Sequence, residues 1–207
     1  MIWLAIAILC YLIGSFPSGY LVGKSQGIDI RKHGSRNIGA TNVLRVMGKK
    51  WGYLVFVCDS LKGFLAVKLG VLLAAGTGAD ATLTGVVGGI CCIIGHNYTV
   101  WLGFKGGKGI ATSIGVLLAI VPILVVMIVL LVWLTVFFIW KYVSLASISA
   151  ALSLPLAVLI LFPLVARGNY WVVVIFSIIV ATLAVWRHRS NIDRLLQGKE
   201  NRFGSKR

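Results

Sequence analysis

Three short polar segments of this chain carry residue types that bind anions. Residues 34–42 read GSRNIGATN and are followed by Arg45, residues 104–109 read FKGGKG, and residues 188–195 read HRSNIDRL. Glycine lets backbone N–H groups approach a phosphate closely, hydroxyl and amide side chains can donate to its oxygens, and Lys and Arg add positive charge. Because most of the remaining chain is apolar, these segments predict a membrane enzyme that handles an anionic, phosphorylated substrate.

The 34–42 segment has the composition of a phosphate cradle. Ser35, Thr41 and Asn42 can donate hydrogen bonds to phosphate oxygens, and Arg45 can bind a phosphate through two parallel N–H groups. The alternative is a surface or re-entrant loop in which the Asn and Ser side chains cap the helix that follows. Composition alone leaves both interpretations open.

The 104–109 segment places two lysines around two glycines at the start of an apolar run. Backbone donors, the cations Lys105 and Lys108 and a helix N-terminus could therefore converge on one anion. The spacing differs from the GxxxxGK[ST] pattern of nucleotide-binding loops, so no nucleotide site is predicted. In the alternative interpretation the two lysines are simply anchors on the cytoplasmic side of the membrane.

Acidic residues are too few for metal-dependent phosphate chemistry. The chain has 20 Lys and Arg but only five acids, which gives a net charge of +15. No two acids lie closer in sequence than Asp193 and Glu200, whereas two-metal catalysis needs several carboxylates around the ions. The four cysteines have no zinc-type spacing. We expect no metal ion, no cofactor and no nucleic-acid partner.

A few ionisable residues have two possible roles. Asp59 and Lys62 lie three residues apart in an apolar run, so they share a helix face, where a structural ion pair is favoured over a supporting role beside a phosphate site. His188 and Asp193 fit the H-x₄-D pattern of a known class of glycerolipid acyltransferases. We interpret this match as a coincidence because the pair lies in a basic tail, but it defines a rival base-catalysed mechanism.

The elements that must position these segments are membrane helices. Hydrophobic residues make up 59% of the chain and its mean hydropathy is +0.97. The apolar run from Ile110 to Trp140 would form a helix about 46 Å long, longer than a hydrocarbon core of about 30 Å, and it contains Pro122. Splitting it there predicts seven spans in a single membrane domain, 1–207, at about 2–22, 51–75, 82–102, 110–121, 123–140, 143–166 and 170–186.

Charge predicts the orientation of these spans. With the N-terminus outside, 17 of the 20 Lys and Arg fall on the cytoplasmic side, and only Arg167 lies outside. Six spans would put the basic tail opposite the basic first loop, against the positive-inside rule. The predicted fold is therefore an all-α integral membrane protein with seven transmembrane helices, an outer N-terminus, a cytoplasmic C-terminus and a first span broken by Pro17.

The chain resembles the bacterial acyl-phosphate:glycerol-3-phosphate acyltransferase family in four motifs. They are GSRNIGATN with Arg45, FKGGKG preceded by Gly95 and His96, KYVSLAS at 141–147, and HRSNIDRL followed by GKENRF. The resemblance implies a seven-helix inner-membrane enzyme with a cytoplasmic active site. Such an enzyme moves a fatty acyl group from acyl phosphate to the 1-hydroxyl of glycerol 3-phosphate, giving lysophosphatidate and phosphate, the first step of phospholipid synthesis. Arg36 departs from the family, which most often has Gly there.

The resemblance also implies roles for particular residues. The positions tied to catalysis are Ser35, Arg45, Lys105, His188 and Asn191. The substrate-binding surface would be completed by Thr41, Asn42, Gly106, Gly107, Lys108, Gly109 and Ser144. Acyl phosphate is already activated, so positioning and electrostatic clamping could supply most of the rate. A substrate phosphate oxygen could accept the hydroxyl proton, with His188 as the alternative base.

The expected partners are glycerol 3-phosphate, acyl phosphate and the lipid bilayer, and a monomer is expected. A transporter of a phosphorylated metabolite is the alternative function, because it too would need a cationic pocket. A transporter should carry polar residues along a path to the outer face and often an inverted repeat. Here the polar residues crowd one side, which favours the enzyme.

Overall fold

The computed structural model describes residues 2–165 and 169–204, and these ranges contain helices and turns but no strand. The predicted all-α class is confirmed. Arg167 and Arg207, on which part of the orientation prediction depends, lie outside the described residues. The helices are α1 (Ile2–Ser15), α2 (Ser18–Ser25), α3 (Ala40–Met47), α4 (Lys49–Ala74), α5 (Ala81–Asn97), α6 (Ile110–Ile120), α7 (Ile123–Trp140), α8 (Val143–Val165), α9 (Tyr170–Arg187) and α10 (Arg189–Leu196).

Two prolines separate helices that would otherwise be continuous. Pro17 lies between α1 and α2, and Pro122 lies between α6 and α7. Proline has no N–H to donate and its ring clashes with the preceding turn, which favours a helix boundary at these two positions. The long apolar run is therefore divided where the sequence predicted.

Within the described ranges, five helical stretches are long and apolar enough to cross a membrane: Ile2–Ser25, Ala81–Leu102, Ile123–Trp140, Val143–Val165 and Tyr170–Arg187. Helix α4 has 26 residues but carries five charged side chains. Helix α6 has 11 residues and is therefore only about 16 Å long, roughly half of a hydrocarbon core. The count of seven spans stays a prediction.

The chain forms two compact units, the first ending at Ile120 and the second beginning at Val121. In the first unit, glycines bring helices together at backbone distance. A side chain at Gly95 of α5 would occupy the place of the Tyr11 carbonyl of α1, and one at Gly63 of α4 would occupy that of the Thr112 carbonyl of α6. Small residues allow this close approach, as expected between membrane helices.

One apolar cluster of the first unit supports both of its polar loops. Ile38 and Val43, from the 34–42 loop and α3, are buried against Ile30 and Val55. Leu102, three residues before Lys105, packs against the same cluster. Burial of these side chains therefore holds the 34–42 and 104–109 loops on a common base.

In the second unit, α8 packs against α7 and α9, and the chain after α10 returns to the end of α7. The Phe203 N–H donates to the Lys141 carbonyl at 2.8 Å, and the Phe203 ring lies edge-on to Phe137 with centroids 5.4 Å apart. These contacts attach the tail to the helices that carry the KYVSLAS motif.

Candidate active site

The 34–42 loop is shaped by the side chain of Asn42, which is 1% exposed. Its amide nitrogen donates to the carbonyls of Asn37 (2.8 Å), His33 (3.0 Å) and Ile30 (3.3 Å), and its oxygen accepts the Ser35 N–H at 2.8 Å. Both ends of the amide are thus bonded to the loop backbone. Asn42 is placed to hold the loop in shape, because both ends of its amide are occupied by these backbone contacts.

The other predicted anion ligands of this loop reach the surface. Thr41 and Arg45 lie four residues apart on α3, so they share one helix face, and both are exposed. Ser35 is also exposed, while its backbone is fixed by Asn42. The Thr41 hydroxyl and the Arg45 guanidinium therefore face the same solvent region.

The 104–109 loop lies on the C-terminal end of α5. The Gly106 N–H donates to the Asn97 carbonyl at 3.2 Å and the Gly107 N–H to the His96 carbonyl at 2.9 Å. Lys105 is exposed and Lys108 is half-buried on either side of these glycines, and Gly109 has a φ of 83° at the start of α6. The loop thus presents two cations beside a helix N-terminus.

The Asp59–Lys62 pair lies on α4 beneath these loops. The Lys62 Nζ is 2.8 Å from the Asp59 Oδ1, and the side chains are 7% and 2% exposed. The structural ion pair favoured from the sequence is therefore formed. Lys62 also lines an apolar groove of about 750 Å³ in the first unit, whose other walls include Leu12, Phe16, Leu21 and Trp101.

In the second unit, Ser144 and Asn191 meet at Glu200. The Ser144 Oγ donates to the Glu200 Oε1 at 2.8 Å, the Asn191 Nδ2 donates to the same oxygen at 2.7 Å, and the Arg194 Nε donates to the Oε2 at 2.7 Å. Burial alone would raise the pKa of Glu200, but these hydrogen bonds outweigh it and hold that pKa below its usual value. Glu200 is charged at neutral pH and ties α8 to α10.

The imidazole of His188 is buried and its Nδ1 lies 2.7 Å from the Ala184 carbonyl. A carbonyl can only accept, so Nδ1 carries the hydrogen and Nε2 carries the lone pair when the ring is neutral. The H-x₄-D mechanism needs a carboxylate at Nδ1, and the structure has a backbone carbonyl there. Asp193 is exposed on α10.

Known proteins match the chain over nearly its whole length. The sequence model described as glycerol-3-phosphate acyltransferase matches residues 4–198. A protein of that name from Desulforudis audaxviator is 48% identical over 94% of this chain and 92% of the relative. One from Aquifex aeolicus is 45% identical over 97% of this chain and 98% of the relative. The chain belongs to the glycerol-3-phosphate acyltransferase family.

Two crystal structures of a family member also resemble this protein. Both are of PlsY (YgiH), an integral membrane glycerol 3-phosphate acyltransferase. Its glycerol 3-phosphate form has a TM-score of 0.84 and 43% identity, and covers 98% of this chain and 96% of that one. Its lysophosphatidic acid form has a TM-score of 0.82 and 42% identity, over 98% and 95%. Membership of this family favours the acyltransferase prediction over the transporter.

The predicted site residues of this acyltransferase divide between the two units. The first unit holds Ser35, Thr41, Asn42, Arg45, Lys105 and the residues from Gly106 to Gly109, and the second holds Ser144, His188 and Asn191. Sequence reasoning missed Glu200, the residue on which Ser144 and Asn191 converge. One signal was available, since Glu200 is among only five acids in a strongly basic chain and lies within the GKENRF part of the resemblance.

Proposed function

We propose that this acyltransferase transfers a fatty acyl group from acyl phosphate to the 1-hydroxyl of glycerol 3-phosphate, giving lysophosphatidate and phosphate. The observation that carries the proposal is the pair of structures of its relative, in a glycerol 3-phosphate form and a lysophosphatidic acid form. These two molecules differ by one acyl group on one hydroxyl, so they are the acceptor and the product of this reaction. The exposed cations of the 34–42 and 104–109 loops suit such phosphorylated molecules.

The reaction needs little chemistry from side chains. The 1-hydroxyl oxygen attacks the acyl carbonyl carbon, the bond from that carbon to the phosphate oxygen breaks, and phosphate leaves with the electron pair. Ser35, Arg45 and Lys105 bind phosphate oxygens, and the two cations among them neutralise the phosphate charge. Further donors are Thr41, Lys108 and the backbone of Gly106, Gly107 and Gly109. Asn42 contributes indirectly, because its side chain holds the 34–42 loop in its conformation.

The hydroxyl proton passes to a phosphate oxygen of the substrate, with the Nε2 of His188 as the alternative acceptor. The Ala184 carbonyl leaves the lone pair of the neutral ring on that nitrogen. Ser144 and Asn191 assist His188 in this proton transfer. Glu200 holds the side chains of Ser144 and Asn191 in place. The acyl chain occupies the apolar groove beside Leu12 and Phe16.

The protein acts in the bacterial inner membrane as a monomer with seven spans, an outer N-terminus and its active site towards the cytoplasm. Helices α4 and α6 complete the seven with the five apolar stretches. The basic loops and tail support this orientation through the positive-inside rule. Glycerol 3-phosphate is a soluble anion, which a cytoplasmic site would meet directly.

The test is to incubate purified protein with acyl phosphate and labelled glycerol 3-phosphate and to measure lysophosphatidate. The enzyme should consume acyl phosphate without added metal and in the presence of EDTA. Equal turnover of acyl-CoA would overturn acyl phosphate as the proposed acyl donor. Arg45→Ala and Lys105→Ala should each lose about 10- to 150-fold in kcat/KM, since a hydrogen bond to a charged group contributes roughly 1.5 to 3 kcal/mol. Asp193→Asn is the control, and a severe defect there would restore the H-x₄-D mechanism.

A further inference from the structure

A closed polar cluster lies in the interior of the first unit, between the apolar groove and the 104–109 loop. Its ionisable members are Asp59, Lys62 and His96, whose side chains are 2%, 7% and 4% exposed. The Lys62 Nζ lies 2.8 Å from the Asp59 Oδ1, 2.9 Å from the Phe16 carbonyl and 3.0 Å from the His96 Nδ1. An ammonium has three N–H groups, and each has one of these acceptors.

This arrangement determines the tautomer of His96. Because the Lys62 ammonium can only donate, the Nδ1 of His96 must accept, and the hydrogen of the neutral ring is on Nε2. The Asp59 Oδ1 is 3.6 Å from Nδ1, beyond hydrogen-bond range, and it already accepts from Ser18 at 3.0 Å.

The Nε2 side of the ring faces the 104–109 loop. A Cβ atom at position 107 would overlap with the His96 Nε2. The imidazole therefore fills the space that the side chain of any residue other than glycine would need at this position. The Gly107 N–H also donates to the His96 carbonyl at 2.9 Å. The loop therefore rests on His96 through both its backbone and its ring.

We propose that Asp59, Lys62 and His96 are positioning residues for the 104–109 loop. Asp59 holds the Lys62 ammonium, the ammonium holds the imidazole as its Nε2–H tautomer, and the imidazole supports Gly107 so that Lys105 and Lys108 face the phosphate of the substrate. If Asp59 and Lys62 formed only a structural ion pair, they would neutralise each other's charge, and the tautomer of His96 would not affect the 104–109 loop. This inference rests on the proposed function for its kinetic test.

The kinetic test compares Gly107, which lies against the His96 ring, with Gly106, which lies against the His96 backbone. Gly107→Ala puts a methyl group against the His96 ring, and should raise the KM for glycerol 3-phosphate about 10-fold or more. His96→Ala removes the ring, so the double variant should have a KM within about 3-fold of that of His96→Ala alone. Gly106→Ala is the matched control, since its methyl group would meet the His96 backbone carbonyl, which no substitution of the side chain removes.

The expected result is that the effects of Gly107→Ala and His96→Ala on KM are not additive, whereas the effects of Gly106→Ala and His96→Ala add. Single His96→Ala should raise KM with little change in kcat, because the loop is misplaced while the reacting groups remain. A purely structural role would lower the yield of folded protein and kcat without changing KM. Additive effects of Gly107→Ala and His96→Ala on KM, in protein that folds, would overturn the proposal.

The spectroscopic test does not depend on activity. The chain has three histidines, so ¹⁵N-histidine labelling gives three sets of ring signals, and His96→Gln identifies one set. At neutral pH the His96 ring should be the Nε2–H tautomer, and Lys62→Met should release it to a mixture of tautomers. A charged ring or an Nδ1–H tautomer in the unmodified protein would overturn the proposed positioning role of Asp59, Lys62 and His96. A protein that makes no lysophosphatidate but passes this test would contradict the proposed function and leave that positioning role intact.

Discussion

Glu200→Gln is the substitution that should reveal how the tail is held. Glu200 is the common acceptor for Ser144 of α8 and for Asn191 and Arg194 of α10. Glutamine has the same shape, and its carbonyl oxygen can replace Oε1 and accept from Ser144 and Asn191. Its NH₂ group then replaces Oε2 and faces the Arg194 Nε, so two donors oppose each other.

The expected loss follows from these three contacts. The bonds from Ser144 and Asn191 change from charge-assisted to neutral, which costs about 1 kcal/mol each. The ion pair with Arg194 is lost, but the Arg194 side chain is 37% exposed, so this adds at most about 1 kcal/mol. The free energy of unfolding should therefore fall by about 2 to 3 kcal/mol. Glu200→Ala should cost about 3 to 5 kcal/mol, because it leaves both donors without this acceptor.

The assay is thermal unfolding of the purified protein in detergent, with acyl transfer measured on the same samples. For a chain of this size about 2 to 4 °C accompanies each kcal/mol, so Glu200→Gln should lower Tm by about 4 to 12 °C. Asp193→Asn changes an exposed acid of the same tail, and its Tm should stay within about 2 °C of the unmodified value. A Glu200→Gln protein as stable as this control would refute the reasoning.

Three further predictions concern the backbone, pH and topology. Arg36 has a φ of 59°, so Arg36→Gly should raise stability by about 0.5 to 1 kcal/mol, and a lower Tm would contradict this. The lowered pKa of Glu200 means that its stabilisation is complete above its usual pKa of 4.5 and is lost as pH falls through the lower folded pKa. The Tm difference between Glu200→Gln and the unmodified protein should therefore shrink below about pH 4.5. A reporter fused after Arg207 should be cytoplasmic and a cysteine at Gly78 should be labelled from outside, whereas a periplasmic tail would contradict seven spans.

Much of the fold could be predicted because its signals are local. Apolar runs and prolines are visible in the sequence, so the division at Pro122 and the break at Pro17 were predicted close to where they occur. The backbone at Arg36 is left-handed, a conformation that glycine adopts more easily, which gives a physical reason for the Gly expected there from the resemblance.

The connections within the candidate site could not be predicted in the same way. Ser144 and Glu200 are 56 residues apart, and Lys62 and His96 are 34 residues apart, so their hydrogen bonds depend on helix packing. Asn42 was predicted to bind substrate from its residue type and from the resemblance. Its contacts show that the same amide is bonded to its own loop, a distinction that composition does not contain.

The backbone contacts at the glycines limit how this enzyme could be engineered. Gly14 and Gly95 bring α1 and α5 together with no room for a methyl group, so the distance between these helices is not an adjustable quantity. A library that aims to change acyl-chain preference should leave those positions untouched and vary the side chains that project into the groove, such as Leu12, Phe16 and Leu21. Shortening them would deepen the groove, and enlarging them would close it, while the helices and the loops that they carry stay where they are.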